Sequence, residues 1–457
     1  MKAYDVVVIG SGSGTYIAAR ALYEGLSVAL IDHGPLGGTC PNTGCIPSKM
    51  LISAADRIME IRESKTFGIY AKIENIDIPA IFERMRAERL RRGAITRNWM
   101  EENQENLDFY SATGHFIDDY TLVAGRQTLR GEKIFIASGS RPAISPVSGL
   151  SDLPYLTNET VLDLAELPES LIIVGGGSIA AEYGHFFSAM GTEVTILGRN
   201  AVFLPREEPE YALLLRSLLE KRVAIITGIE VKNARRTPRG CLLTGIDPAS
   251  GAVREFAAEA VLIATGRVSN ADLLHVGKTG VALDSRGFIA VNEFLETSKE
   301  KIWSIGDANG RYMFRPVANQ EARIAWHNAT HTHKVPMDYR VVPHAVFAYP
   351  PLASVGLNED AARSSHDVVV GRAAYRDVAR GVAIGDGDGR AKIIVERNSG
   401  TIRGFHIIGP SSFEIIQEVV QVMVKGGTFH DLENLHIHPT LSELLPATID
   451  EIKHSIR

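Results

Sequence analysis

Between Gly37 and Lys49 the chain reads GGTCPNTGCIPSK, with four residues separating Cys40 from Cys45. Two thiols at that spacing can form a dithiol that opens and closes by exchange. Metal binding is the rival reading. Two cysteines fill only half of a tetrahedral site, and the chain's three cysteines supply no second pair. A redox dithiol is the better reading. Pro47 suggests that a helix begins at this point, and a helix N-terminus lowers a thiol's pKa. Near the other end the chain reads HIHPTLSE, from His436 to Glu443. Thiol–disulfide exchange needs a group that takes and returns a proton near neutral pH. His438 suits that task, with Glu443 holding the other ring nitrogen. Thr440-x-x-Glu443 is equally a plain helix capping box. Spacing alone leaves both readings open.

The elements around these residues follow a duplicated pattern. Tyr4–Ile9 is a short apolar run rich in β-branched residues, followed by Gly10-Ser11-Gly12-Ser13-Gly14-Thr15. A helical segment, Tyr16–Glu24, stops at Gly25, and a second strand, Leu26–Ile31, ends at Asp32. The same order recurs downstream. Leu171–Val174 is the strand and Gly175-Gly176-Gly177-Ser178-Ile179-Ala180 the turn; a helix reaches Met190 and stops at Gly191, and Val194–Leu197 leads into Gly198. Each copy reads as half of a parallel dinucleotide-binding fold. Its glycines let a pyrophosphate approach bare backbone, and the helix N-terminus offers free N–H groups and partial positive charge. IFIASGSRP (Ile134–Pro142) and VLIATGRVS (Val261–Ser269) fit the returning strand of each unit. Lys301–Ile305 is a further strand, with Asp307 just beyond its C-terminal end.

The chain has 457 residues, with 48 Lys+Arg against 54 Asp+Glu and a formal charge of −6. That balance argues against a nucleic-acid partner bound by phosphate neutralisation. A hydrophobic fraction of 45% and a charged fraction of 22% are those of a globular protein. No apolar run reaches the ~18 residues of a membrane span. The N-terminal apolar run is too short for a signal peptide, so the expectation is a cytoplasmic protein without membrane partner. The dense charge of Arg84–Arg97 reads as a solvated helix face. Cys241 reads as a structural strand residue, and His331 and His333 as a loop pair with no metal. The expected fold is α/β, with two Rossmann-like dinucleotide domains and a C-terminal α+β unit. Its parts are 1–145, an insertion at 146–265, a return to the first unit at 266–335, and 336–457. The last carries strands Ala391–Glu396 and Thr401–Ile408 and an amphipathic helix near Phe413–Lys425.

This set resembles the flavin-dependent pyridine nucleotide–disulfide oxidoreductases, the family of dihydrolipoamide dehydrogenase and glutathione reductase. The resemblance runs from Tyr4 to about Ile449, and its most specific motifs are GGTCPNTGCIPSK and HPTLSE. It implies FAD in the first nucleotide site, NAD(H) or NADP(H) in the second, and a homodimer built on the C-terminal domain. Carried over position by position, Gly10, Gly12, Ser13, Gly14, Asp32, Gly38, Thr39, Gly114, Ser138, Gly139 and Asp307 match FAD contacts. Lys49 matches the lysine beside the flavin, and Glu182 its ion-pair partner. Gly175, Gly177, Ser178, Ile179, Arg199 and Gly266 match the second nucleotide site. Cys45 matches the charge-transfer thiol, Cys40 the interchange thiol, and His438 an acid/base supplied by the other subunit with Glu443 behind it.

Three positions depart from the family pattern. Thr15 replaces the third glycine of the first fingerprint. Ser178 replaces a bulkier residue over the nicotinamide site. Gly198 replaces the acidic residue of NAD-preferring relatives, and Arg199 follows it, which leans toward NADP(H). HPTLSE points first to a dihydrolipoyl substrate. The alternative is an NADPH-dependent reductase of a low-molecular-weight disulfide. Arg20 sits where glutathione reductases have a binding arginine, but Ala21 does not repeat its partner. Mercuric and high-molecular-weight thioredoxin reductases are disfavoured, because their extra C-terminal cysteines are missing. A reading of another class is a catalytically silent FAD-binding assembly component.

Overall fold

A computed structural model describes residues 1–456. The first unit opens with β1 (Lys2–Ile9), α1 (Gly14–Tyr23), β2 (Val28–Asp32), the single turn α2 (Thr39–Asn42) and α3 (Cys45–Glu63). The long α4 (Ile78–Glu102) follows, then β3 (Leu107–Ser111), β4 (Gly114–Asp118), β5 (Thr121–Ala124), β6 (Gln127–Ile136) and β7 (Ser140–Pro142). Their sheet runs β3-β2-β1-β6-β5-β4. β1 lies parallel to both neighbours, with Val7 opposite Ala29 and Ile134. Val6, Val7 and Val8 are all fully buried, as a parallel strand covered on both faces requires.

The second unit has β8 (Ser170–Val174), α5 (Ser178–Met190), β9 (Glu193–Gly198), α6 (Pro209–Leu219) and β10 (Val223–Thr227). An antiparallel trio follows, β11 (Glu230–Thr237), β12 (Gly240–Ile246) and β13 (Val253–Ala258), then β14 (Ala260–Ile263). Four of these strands form a parallel sheet in the order β10-β9-β8-β14. Next, β15 (Arg267–Ser269) pairs antiparallel with β7, so the chain leaves and re-enters the first unit side by side. β16 (Ile302–Ser304) then joins the end of β6 in parallel, and α7 (Arg315–Thr330) follows.

The C-terminal unit holds β17 (His344–Val346), β18 (Leu352–Gly356), α8 (Glu359–Ser365), β19 (Val368–Ala374), α9 (Ala379–Ala383), β20 (Arg390–Glu396) and β21 (Ile402–Ile408). Helices α10 (Ser412–Val424) and α11 (Leu444–Ile456) close it. Its sheet is antiparallel in the order β17-β18-β21-β20-β19, and Val355, Ile393, Phe405, Val419 and Ile449 share one core.

Element ends differ from the periodicity in instructive ways. β2 starts at Val28 rather than Leu26, because the Leu26 N–H closes α1 on Ala21 O at 3.0 Å, with Gly25 at φ 75 between them. On α4, Glu88 accepts from both Arg91 and Arg92, so the basic run is a helix face with its own counter-charge. Cys241 is buried in β12 with Ala258 O as partner. None of the described helices is long and apolar enough to cross a membrane.

One ion cluster ties the second unit to the third. Lys392 of β20 is 1% exposed, and its Nζ lies 2.7 Å from Glu208 and 2.5 Å from Glu210 at the start of α6, and 3.0 Å from Glu359 of α8. The three carboxylates converge, and the ammonium stands where a cation would otherwise be needed. Removing one partner of a buried pair leaves charge unbalanced in low dielectric. Lys392→Met is expected to lower unfolding stability by about 3 kcal/mol in chemical denaturation; an unchanged midpoint would contradict this role.

Candidate active site

The segment between β2 and α3 is tied down by two side-chain amides and a hydroxyl. Asn42 Nδ2 donates to Leu36 O and Gly38 O, both at 2.8 Å. Asn158 Nδ2 donates to Thr43 O at 2.9 Å, and Ser48 Oγ to Gly44 O at 2.8 Å. These bonds seat Cys40 in α2 and make Cys45 the first residue of α3. No side chain caps α3, and the Cys45 N–H bonds its own sulfur.

The thiols of Cys40 and Cys45 are hydrogen-bond partners, and they divide their proton unequally. The hydrogen bond from Cys40, aided by the Lys49 charge, the Cys45 backbone N–H and Arg315, lowers the Cys45 thiol to about 6 against the opposing effect of burial. The same bond and burial push Cys40 well above the thiol range. Lys49 follows Cys45 by one helical turn. Its Nζ lies 2.7 Å from Glu182 Oε2 and 4.6 Å from the centroid of the Phe347 ring. Glu182, buried in α5, also accepts from Phe347 N at 3.1 Å. Glu182, distant in sequence, is thus brought against the redox helix.

Beside the dithiol lies the first glycine turn. Gly10 has φ 110, and a Cβ there would stand 2.1 Å from Ala137 O. Gly38 has φ 76, and a Cβ there would stand 2.7 Å from Gly12 Cα; one on Gly14 would stand 2.7 Å from Val8 Cγ1. Only bare backbone fits this groove, and α1 opens onto it without a side-chain cap. Thr15, in place of a glycine, turns its hydroxyl back to Gly12 O at 2.8 Å. Ser13 Oγ donates to Asn319 at 2.9 Å. Asp32 ends β2 with one carboxylate oxygen accepting from Ser11 N and the other from Gly34 N. Ser138 Oγ is buried with no partner, and Gly139 next to it has φ 68. Gly114 begins β4 against Ile31, and Thr39 begins α2. Asp307 accepts from Ser140 Oγ, with Arg267 Nε at 3.7 Å. Its turn is held by Glu321, fully buried, which accepts from Gly306 N, from Asn309 Nδ2 at 3.1 Å and from Tyr339 OH at 2.6 Å. Burial pushes the Glu321 carboxyl up. A glycine cradle, an uncapped helix, a carboxylate at a strand end and an orphaned buried hydroxyl together fit a dinucleotide such as FAD.

The second turn repeats the first. Gly175 has φ 137, and a Cβ there would stand 2.2 Å from Ala264 O, the same obstruction that Gly10 meets at Ala137. Gly177 precedes α5 with open space around it, Ser178 is exposed as the first residue of that helix, and Ile179 follows. Gly198 closes β9 without a carboxylate. Arg199 and Arg206 beyond it are exposed. Gly266, φ 117, stands after β14.

Glu443 both holds the His438 ring and caps the turn that follows it. His438 Nδ1 is 2.8 Å from Glu443 Oε1, while Thr440 N donates to Glu443 Oε2 at 3.0 Å. The histidine bond holds the Glu443 carboxyl below its usual range, helped by the Thr440 N–H. No hydrogen bond or ion pair among the described residues links this pair to Cys40 or Cys45. Instead, the His438 side chain is 71% exposed, and the flanking Leu435 and Ile437 are exposed at 104% and 79%. Asn42, Phe347, Glu321 and Arg315 were not singled out from the sequence. Asn42 lies within the CPNTGC run, which was its only signal; the others reach the site through the fold alone.

A glycine cradle beside a polarised thiol pair, with a second cradle of the same build in the next unit, fits a pyridine nucleotide-linked dithiol oxidoreductase. Residues 4–322 match the pyridine nucleotide-disulphide oxidoreductase family, and residues 342–448 match its dimerisation domain. The chain belongs to this family, and membership implies FAD and a pyridine nucleotide. It is 34% identical over 461 residues to mycothione reductase of Mycobacterium tuberculosis (strain ATCC 25618 / H37Rv), covering 97% of this chain and 98% of that protein. It is 31% identical over 459 residues to dihydrolipoyl dehydrogenase of Bacillus subtilis (strain 168), covering 97% and 96%. The solved structure of the HOCl-induced flavoprotein disulfide reductase RclA from Escherichia coli matches with a TM-score of 0.88 and 29% identity, covering 98% of this chain and 99% of that one.

The unequal proton sharing has a direct readout. On titration of the reduced protein, one thiolate should appear with a midpoint near pH 6 and persist above it, while the second thiol stays protonated through the ordinary range. Ultraviolet thiolate absorbance measures this. Two thiols ionising together at the pH of a free cysteine would disprove the asymmetry.

Proposed function

We propose that this chain is an FAD-dependent oxidoreductase that moves an electron pair between NAD(P)(H) and a disulfide substrate through Cys40 and Cys45. The observation that carries the reading is the polarised thiol pair at the start of α3, beside the first glycine cradle. FAD, when bound, supplies hydride acceptance and two-electron relay. Gly10, Gly12, Gly14, Gly38, Asp32, Ser138 and Asp307 would hold it.

The protein's own groups do the rest. Two electrons open the Cys40–Cys45 bond, leaving Cys45 as thiolate and Cys40 as thiol. Because Cys40 keeps its proton, it needs a base before it can attack. Glu443 occupies Nδ1 of His438, which leaves Nε2 to take that proton. The Cys40 sulfur then bonds to one half of the substrate disulfide, and the other half leaves with the proton from His438. Cys45 displaces the remaining half, which leaves as a thiolate and takes a proton from solvent, and the Cys40–Cys45 bond is restored. The sum is NAD(P)H + H⁺ + RSSR → NAD(P)⁺ + 2 RSH, and it runs in reverse for a dithiol donor. His438 would come from the partner subunit. Its exposure between two uncovered apolar side chains, together with the dimerisation-domain match, supports that arrangement.

Two observations divide on the substrate. The HPTLSE motif favours a dihydrolipoyl group. Gly198 offers no acceptor for a ribose 2′-hydroxyl, while Arg199 and Arg206 offer charge for a 2′-phosphate, which favours NADPH-linked reduction of a small disulfide. Steady-state kinetics over lipoamide and low-molecular-weight thiol disulfides, each with NADH and NADPH, separates them. On the preferred pair, His438→Ala is expected to lower kcat about 10²–10⁴-fold, and Cys45→Ser to abolish disulfide turnover. Full turnover by Cys45→Ser would end the proposal. Sedimentation over a dilution series should show activity falling as dimer dissociates; an active monomer would refute the shared site.

A further inference from the structure

The segment that carries His438 has few ties of its own. From Asn434 to Pro439 the chain forms no helix or strand, and among the described residues it makes no backbone–backbone hydrogen bond. From Glu433 to Pro439 every residue is exposed except His436. That side chain turns inward between the uncovered Leu435 and Ile437 and is 7% exposed. Its Nδ1 donates to Asn434 O at 2.8 Å, and its Nε2 lies 3.2 Å from Glu418 Oε1 on α10. Nε2 is buried and lacks an aligned hydrogen bond. The Glu418 carboxylate is therefore what offsets its loss of water. Helix α10 is a firm platform, because Ile415, Ile416, Val419 and Val420 bury it in the C-terminal core.

We propose that His436 is a positioning residue for His438: its bridge from Asn434 O to Glu418 fixes the backbone from which the acid/base is presented. The inference rests on the reading of His438 as the group that takes the Cys40 proton. Proton transfer needs both groups within hydrogen-bond reach, and a misplacement of ~1 Å costs about 10²-fold in rate. On the C-terminal side, Thr440 Oγ1 donates to Ile437 O at 2.7 Å, and Glu443 holds the His438 ring. On the N-terminal side, His436 supplies the tie to α10. His438 thus stands between a cap that orients its ring and an inward side chain that holds its backbone. A catalytic group on an irregular segment needs such a support from a rigid element.

The test uses the FAD-loaded dimer and separates the two half-reactions by rapid mixing. His436→Leu should leave reduction by NAD(P)H at the wild-type rate. It should slow reoxidation by the preferred disulfide about 10–10²-fold, because only that half-reaction draws on His438. Glu418→Ala should give a loss of the same kind, and the double variant should be no slower than His436→Leu. In a His438→Ala background, His436→Leu should have no further effect. Unchanged reoxidation in both single variants overturns the proposal, as does equal slowing of both half-reactions. So does an additional loss in the His438→Ala background, since His436 would then act on something other than His438. Should His436→Leu fail to assemble, Glu418→Ala, at a position 40% exposed, carries the same comparisons. Full-rate reoxidation by His438→Ala itself would instead defeat the acid/base reading on which the inference rests.

Discussion

Cys45 begins α3, and its sulfur receives the Cys40 hydrogen, its own backbone N–H and the field of Lys49. Burial alone would push both thiols up; the convergent donors reverse that for one of them. The resulting asymmetry, one thiol protonated and its neighbour ready to carry charge, is what the remaining structure serves. It explains why the proposed reaction needs a base for Cys40 and none for Cys45. It also explains why the pair must sit on a helix N-terminus tied by Asn42 rather than on a mobile loop. A small displacement would lengthen the thiol–thiol bond and return both groups to ordinary behaviour.

The two glycine turns solve one steric problem twice. In each, a strand ends where the neighbouring strand presents a carbonyl, Ala137 in one unit and Ala264 in the other, and only glycine can pass it. Beyond that shared geometry the sites diverge. The first ends its second strand on Asp32, already oriented by the Ser11 and Gly34 N–H groups. The second ends on Gly198, with exposed arginines beyond it. Equal backbones with different strand ends would let one chain hold two dinucleotides and tell them apart.

The units are joined by charge as well as by apolar packing. Lys49 and Glu182 link α3 to α5. Asp56 and His185 link the same helices further along at 2.9 Å, with Arg222 at 2.9 Å from the other ring nitrogen. Burial pushes the His185 imidazolium down, so this link is between a carboxylate and a neutral ring. Lys392 joins α6 and α8 to the C-terminal sheet. Each joint sets a charged group against partners that offset its desolvation.

The duplicated strand–glycine–helix pattern, the thiol pair and the HPTLSE segment were legible in the sequence, because each depends on local spacing: glycines where backbone is crowded, cysteines within one turn of a helix start, a histidine five residues from its carboxylate. The uneven proton sharing, the roles of Glu321 and Phe347 in fixing the site, and the approach of Arg315 were not. These depend on how side chains orient and on which residues the fold brings within a few ångströms, in some cases from more than a hundred positions away, as with Lys49 and Glu182. The exposure of His438 is likewise a property of the folded surface. Spacing along a chain encodes the chemistry of neighbours; only packing decides which distant charges share a low-dielectric site.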